Sequence, residues 1–184
     1  MRPSIFALVS LVFVGFFARM VPHPMNFTPI VAMALLAGVY AKPRWLAVAI
    51  PFTAMFVSDL VLNNTIYAAY FEGFSFFGTW GVYVALAAVA LLPVILKATK
   101  GSSLIKLTSV GVGGATLFFL ISNLVSWATY GMYPVTPAGL IACYIAGLPF
   151  FLNTLLSTLL FGGIGVAVMK GVEMKFDKFE PVHA

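Results

Sequence analysis

Long apolar runs alternate with short polar or proline-containing connections along the whole chain. A membrane-spanning helix needs about 20 mostly apolar residues, because the hydrocarbon core of a bilayer is about 30 Å thick. The pattern therefore predicts an all-α integral membrane protein, a bundle of six transmembrane helices. The six runs cover Ser4–Ala18, Thr28–Ala41, Trp45–Leu62, Phe77–Leu96, Leu107–Thr129 and Leu140–Met169.

The first and last runs and the connections refine this prediction. The first run follows Met1-Arg2 as a signal peptide would. Phe17-Ala18-Arg19-Met20 offers no clear small-x-small cleavage site, so we expect an uncleaved first helix. The sixth run is longer than a bilayer needs and should tilt, break or begin outside the hydrocarbon. No connection is long and hydrophilic enough to separate domains, so residues 1–184 form one predicted polytopic domain.

The composition agrees with a protein whose main solvent is lipid. The chain is 62% hydrophobic and 8% charged, whereas a soluble domain carries roughly a quarter charged residues. The net charge of +5 does not indicate nucleic-acid binding, because the basic residues are scattered at the ends of the apolar runs. We therefore expect a multi-pass membrane protein that binds no nucleic acid.

The distribution of basic residues predicts which ends face the cytoplasm. Three connections or ends carry nearly all of them, whereas the alternate connections carry Arg19 alone. Because lysine and arginine are enriched in cytoplasmic loops, both termini are predicted to lie inside (N-in/C-in). The basic residues on the predicted inner side after the first run are Lys42, Arg44, Lys97, Lys100, Lys106, Lys170, Lys175 and Lys178.

Polar side chains inside or beside the apolar runs are the candidate functional groups. Asp59 is the only acidic residue within a run, and charges in a membrane usually face the bundle interior or a partner. Arg19 is the obvious partner, although Asp59 lies close enough to the end of its run to reach the interface instead. Asn123 and Asn153 either join helices or line an outward pocket, since amides in lipid need hydrogen-bond partners.

These residues, with the aromatic side chains of the outer connections, predict a pocket for a small organic ligand. Arg19 would hold a carboxylate or phosphate, asparagines would bind amides, and aromatic rings would stack on a planar ring. For any one tyrosine or tryptophan, the alternative is a place in an aromatic belt at the membrane interface. The predicted ligand-binding residues are Arg19, His23, Asn26, Asp59, Asn63, Trp80, Asn123, Trp127, Tyr130, Tyr133 and Asn153.

The sequence contains no recognisable catalytic or metal-binding motif. The single Cys143 excludes an internal disulfide and a zinc site with several cysteines, and His23 has no acidic cluster or second histidine beside it. No paired carboxylates, Ser-His-Asp arrangement or phosphate loop occurs. We therefore predict a protein that is not an enzyme, binds no metal or cofactor and cannot use ATP by itself.

Several motifs are typical of one family. They are Pro22-His23-Pro24-Met25-Asn26-Phe27-Thr28-Pro29, Ala34-Leu35-Leu36-Ala37-Gly38, Ser58-Asp59, Ser122-Asn123, Gly131-Met132-Tyr133-Pro134 and Pro149-Phe150-Phe151-x-Asn153-Thr154. Over nearly its whole length the chain resembles bacterial membrane proteins that are catalogued as DUF6580 and named as transport proteins. That family in turn resembles the substrate-binding S-components of energy-coupling-factor (ECF) vitamin transporters.

The resemblance implies a six-helix bundle with both ends inside and an outward pocket capped by the odd-numbered loops. It also implies a partner, an ECF energising module of one membrane subunit and two ATPases. Two features differ from S-components. Their Ala-x-x-x-Ala docking pattern occurs here on the second helix rather than the first. Arg2 stands where nickel and cobalt S-components have a metal-binding histidine, which argues against metal-ion uptake.

The expected function is therefore substrate binding for transport, with a small organic micronutrient such as a vitamin as ligand. One alternative is a non-transporting structural or accessory subunit of a membrane complex, which would have no outward pocket. A second alternative, a membrane-embedded enzyme, would need Asp59 and His23 to converge.

Overall fold

Helices form all of the regular structure in residues 3–99 and 101–177, the part of the chain that the computed structural model describes. This confirms the prediction of an all-α protein with six helices. The helices are α1 (Pro3–Met20), α2 (Ile30–Tyr40), α3 (Leu46–Asn64), α4 (Trp80–Ile95), α5 (Leu104–Thr129) and α6 (Pro137–Asp177), with one 3-10 turn at Ala68–Tyr70.

Three of these helices, rather than all six, are long and apolar enough to cross a membrane by themselves within the described residues. They are Leu46–Asn64, Leu104–Thr129 and Pro137–Val172, whereas α2 and α4 are shorter apolar helices. With 11 residues, α2 is about 16 Å long at 1.5 Å per residue, well short of the roughly 30 Å hydrocarbon core. The prediction of six independent crossings is therefore supported only for these three.

The short helix α2 occupies the centre of the bundle. Ten of its 11 residues are buried, and it packs against each of the other five helices. A Cβ atom added at Gly114 of α5 would lie 2.9 Å from Leu35, so this glycine allows α5 to approach α2 closely. The apolar character of α2 therefore reflects burial by protein, which a run of apolar residues does not distinguish from burial by lipid.

The connections between the helices gather at two ends of the bundle. The loop end consists of residues 21–29, 65–79 and 130–136, and the basic end consists of residues 41–45 and 96–103. At the basic end, Arg44 donates to the Gly38 carbonyl oxygen at 3.2 Å and Lys106 Nζ donates to the Lys97 carbonyl oxygen at 3.0 Å. Of the basic residues used for the topology prediction, Arg2, Lys100, Lys178 and the side chain of Lys175 lie outside the described part.

Candidate functional site

Arg19, in the last turn of α1, forms an ion pair with Asp59 of α3. Its Nη2 donates to Asp59 Oδ1 at 2.9 Å, and the exposed fractions of the two side chains are 15% and 3%. Its Nη1 donates to the Met55 carbonyl oxygen at 3.2 Å and also contacts Ser58 Oγ. The guanidinium is therefore held by several groups on one helix, and the pair joins α1 to α3.

The second carboxylate oxygen of Asp59 joins α3 to α4. Asp59 Oδ2 accepts hydrogen bonds from the Tyr83 hydroxyl at 2.8 Å and from the Gly78 backbone N–H at 3.2 Å. Because both oxygens have donors and Arg19 balances the charge, the buried carboxylate is fully satisfied. The sequence-predicted residues Arg19 and Asp59 thus form a structural clamp at the loop end.

One polar residue of α6 fixes the connection between α1 and α2. Asn153 Nδ2 donates to the Met25 carbonyl oxygen at 2.9 Å. Ser157 Oγ lies 3.5 Å from the Asn26 carbonyl oxygen, but its single proton has a closer acceptor in the Thr154 carbonyl oxygen at 3.0 Å. Asn26 has φ of 62°, a conformation that asparagine adopts more readily than most residues. Asn153 therefore anchors the loop above the bundle.

Below this loop lies a first cavity of about 380 Å³. All six helices contribute to it. Arg19, His23 and Asn26 are the sequence-predicted residues in its wall, and Tyr67 is contributed by the connection between α3 and α4. Its volume falls within the range of about 300–1,000 Å³ that is usual for small-molecule sites.

A second cavity of about 260 Å³ lies between α5 and α6. Asn123 and Tyr133 are the sequence-predicted residues of its wall, together with Asn26. The two cavities share five residues, so they are adjacent compartments of one region. The shared residues are Asn26, Val82, Phe118, Phe150 and Thr154.

The packing of α5 against α6 positions the wall of the second cavity. A Cβ atom at Gly147 would lie 2.6 Å from Asn123 Oδ1 and 2.8 Å from Phe119 Cε2, so Gly147 makes room for both side chains. Asn123 Nδ2 donates to the Phe119 carbonyl oxygen at 2.9 Å, within its own helix. The aromatic rings of Phe119 and Phe151 lie against each other with centroids 5.0 Å apart.

The remaining predicted residues lie outside the walls of both cavities. Asn63 is buried and contacts Ser75 Oγ at 3.5 Å, while Trp127 Nε1 donates to the Pro134 carbonyl oxygen at 2.9 Å. Trp80 is 47% exposed and lines a separate aromatic groove on α3 and α4, and Tyr130 is 37% exposed. The structure therefore brings together Arg19, His23, Asn26, Asn123 and Tyr133 of the predicted set.

Sequence reasoning missed most of the cavity wall because it is apolar. The missed set includes both pairs of adjacent phenylalanines on α5 and α6, whose place inside apolar runs gave no sign of which side faces inward. The available signal was that two phenylalanines are adjacent in each of these runs, at Phe118-Phe119 and Phe150-Phe151. The missed wall residues include Met55, Val82, Phe118, Phe119, Ser122, Ser126, Phe150, Phe151 and Thr154.

The described residues contain no group of three or more His, Cys, Asp or Glu side chains that could hold a metal ion. His23 Nδ1 lies 2.5 Å from the Val21 carbonyl oxygen, and Asp59 is enclosed by its own partners. The described part of the chain therefore brings no catalytic pair of His23 with Asp59 together.

Comparison with known proteins gives a family and no further relative. No curated protein and no solved structure matches the chain. The model of one family matches residues 1–180, and its description is a family of unknown function, DUF6580. Because this match covers nearly the whole chain, the protein belongs to the DUF6580 family.

Proposed function

We propose that the protein is a substrate-binding membrane transport protein that takes up a small organic micronutrient across a bacterial inner membrane. In this proposal the loop end faces outward, both termini are cytoplasmic, and the bundle resembles the S-component of an ECF transporter. The observation that carries the proposal is the pair of adjacent cavities at the loop end. All six helices line them, and α1, α5, α6 and the three loop-end connections contribute polar residues to their walls.

The physical argument concerns what such a region is suited to hold. A ligand leaving water must exchange its hydrogen bonds for protein ones, and a pocket that is mostly apolar with a few polar groups provides this. Here Asn26, Ser122, Ser126 and Thr154 stand among phenylalanine side chains. The short α2 and α4 would cross as parts of the bundle, since protein covers α2 and the bilayer can thin locally beside a short hydrophobic stretch.

The proposal includes an energising partner. The sequence has no phosphate loop, so uptake driven by ATP would need another protein to hydrolyse it. An ECF module of one membrane subunit and two ATPases is the partner that the resemblance implies.

A sided protection experiment tests this function. Ala146→Cys places a thiol in the wall of the second cavity, at a position without an assigned ligand contact, in a background whose native cysteine is replaced by alanine. An impermeant maleimide added outside should label it, and the small-molecule fraction of a cell extract should slow that labelling. Glu72→Cys, exposed in the connection between α3 and α4, is the control that the extract should not protect. Labelling of Ala146→Cys only from inside, or labelling that no extract slows, would contradict the proposal.

A structural subunit of a larger complex remains the second candidate, because one observation favours it. Asn123 and Asn153 each donate one side-chain amide hydrogen bond to a backbone carbonyl, and Asn153 lies outside the walls of both cavities. On this alternative the two amides serve packing and loop anchoring, and the cavities have no ligand. The protection experiment separates the two functions.

A further inference from the structure

The cationic side chain in the wall of the first cavity already has a counter-ion within the protein. Arg19 is the cationic residue of its wall, and the guanidinium is paired with Asp59, which is 2% exposed. A ligand carboxylate that approached Arg19 would have to compete with a carboxylate already held at 2.9 Å by a matched pair. The first cavity is therefore poorly suited to an anionic group.

His23 can add a hydrogen-bond acceptor to this cavity. Its Nδ1 lies 2.5 Å from the Val21 carbonyl oxygen, and a carbonyl oxygen can only accept, so the proton is on Nδ1. In the neutral ring Nε2 is then an acceptor. The Thr28 hydroxyl and the Asn26 amide lie in the same wall and can both donate and accept. This set fits hydroxyl or amide groups of a ligand.

The second cavity is aromatic and contains no charged side chain among the described residues that line it. The tilted rings of Phe119 and Phe151 stand 5.0 Å apart at 42°, and aromatic faces of this kind stack on planar rings. The hydroxyls of Ser126 and Tyr133 lie in the same wall and have no hydrogen-bond partner among the described residues. They are available to the polar edge of a ring.

We infer that the two cavities together bind an uncharged, planar heteroaromatic compound with hydroxyl or amide substituents. The ring lies in the second cavity against Phe119 and Phe151, and its edge bonds to Ser126 and Tyr133. A polar substituent reaches the first cavity and donates to His23. This inference rests on the proposed transport function and specifies its substrate class.

Matched pairs of compounds test the class directly. The probes are nicotinamide with nicotinate and pyridoxine with 4-pyridoxate, which differ mainly in a carboxylate. Biotin and pantothenate represent carboxylates without an aromatic ring. Binding is measured by isothermal titration to the purified protein in lipid nanodiscs. At least one uncharged ring compound should bind, and its carboxylate counterpart should bind about tenfold or more weakly.

Three variants and one control locate the binding. Phe119→Leu and Ser126→Ala should each weaken binding of the uncharged compound about tenfold. The control Leu124→Ala, on an exposed position of the same helix, should not weaken it. Asp59→Asn leaves Arg19 without its counter-ion. It should therefore reduce or reverse the difference in affinity between the uncharged compound and its carboxylate counterpart. If Asp59→Asn does not fold, the other two variants still test the site.

The outcomes separate this inference from the transport proposal. Tighter binding of a carboxylate, or binding of biotin or pantothenate alone, would overturn the ligand class and leave transport standing. Binding of an uncharged ring that Phe119→Leu and Ser126→Ala leave unchanged would overturn the assigned cavity. Absence of binding by every probe would overturn the class, and the transport proposal would fail as well if no extract protects Ala146→Cys.

Discussion

Replacing Asp59 by asparagine is expected to destabilise the fold strongly, because the change leaves a charged guanidinium without its counter-ion. The Asp59 side chain is 3% exposed and that of Arg19 is 15% exposed, so water screens the pair very little. Removing one partner of a buried ion pair costs about 3–5 kcal/mol. We expect a value near 3 kcal/mol, since Arg19 keeps the Met55 carbonyl and Ser58 as neutral partners.

Thermal unfolding in detergent, followed by tryptophan fluorescence, measures this loss. A change of 3 kcal/mol should lower the midpoint by about 6–12 °C for a chain of this size. The double variant that also carries Arg19→Gln should recover part of the stability, because no uncompensated charge remains. Glu72→Gln, which changes an exposed carboxylate, should shift the free energy of unfolding by no more than about 0.5 kcal/mol.

Two results would refute this reasoning. The first is an Asp59→Asn protein as stable as the Glu72→Gln control. The second is a double variant no more stable than Asp59→Asn alone, which would show that the cost comes from lost shape rather than from a lone charge. Either result would mean that the clamp at the loop end does not depend on charge neutralisation.

Three further predictions address helix packing, the loop and the topology. Gly147→Ala should cost about 1–3 kcal/mol by displacing α5, whereas Gly163→Ala, where a Cβ meets open space, should cost nothing measurable by thermal unfolding. Asn153→Leu should speed amide hydrogen exchange in residues 21–29 without changing exchange in α5, because the loop loses its anchor; unchanged loop exchange would contradict that role. In a cysteine-free background, Glu72→Cys should react with an impermeant maleimide from outside, and Thr99→Cys only after permeabilisation; reaction of both from one side would contradict the topology.

The sequence was most informative where a residue is unusual for its surroundings. A lone acid and a lone base near the ends of apolar runs indicated a pair, and the structure has Arg19 and Asp59 in direct contact. Charges in an apolar segment have few ways of being satisfied, so their partner can be inferred. His23 and Asn26 were predicted from the proline-containing connection after the first run rather than from an apolar segment, and both line the first cavity.

The sequence was least informative where apolar residues differ only in which neighbour they face. The 11-residue α2 was predicted to be a membrane crossing, yet it is buried by the other helices. Phe119 and Phe151 line the second cavity, while Leu124, in the same kind of run, is exposed. Hydrophobicity alone does not tell whether an apolar side chain faces lipid, another helix or a ligand pocket. The rotation of the helix about its axis decides this, and that rotation depends on tertiary packing.

Native mass spectrometry of protein purified from its own membranes tests the central claim most directly. The wild-type protein should carry a small organic molecule at a stoichiometry near one. Ser126→Phe, which fills the second cavity, should lose that molecule, and Leu124→Phe, on an exposed position of the same helix, should keep it. A wild-type protein without any bound small molecule, or one whose bound molecule is unaffected by Ser126→Phe, would contradict the proposal that this region binds a transported ligand.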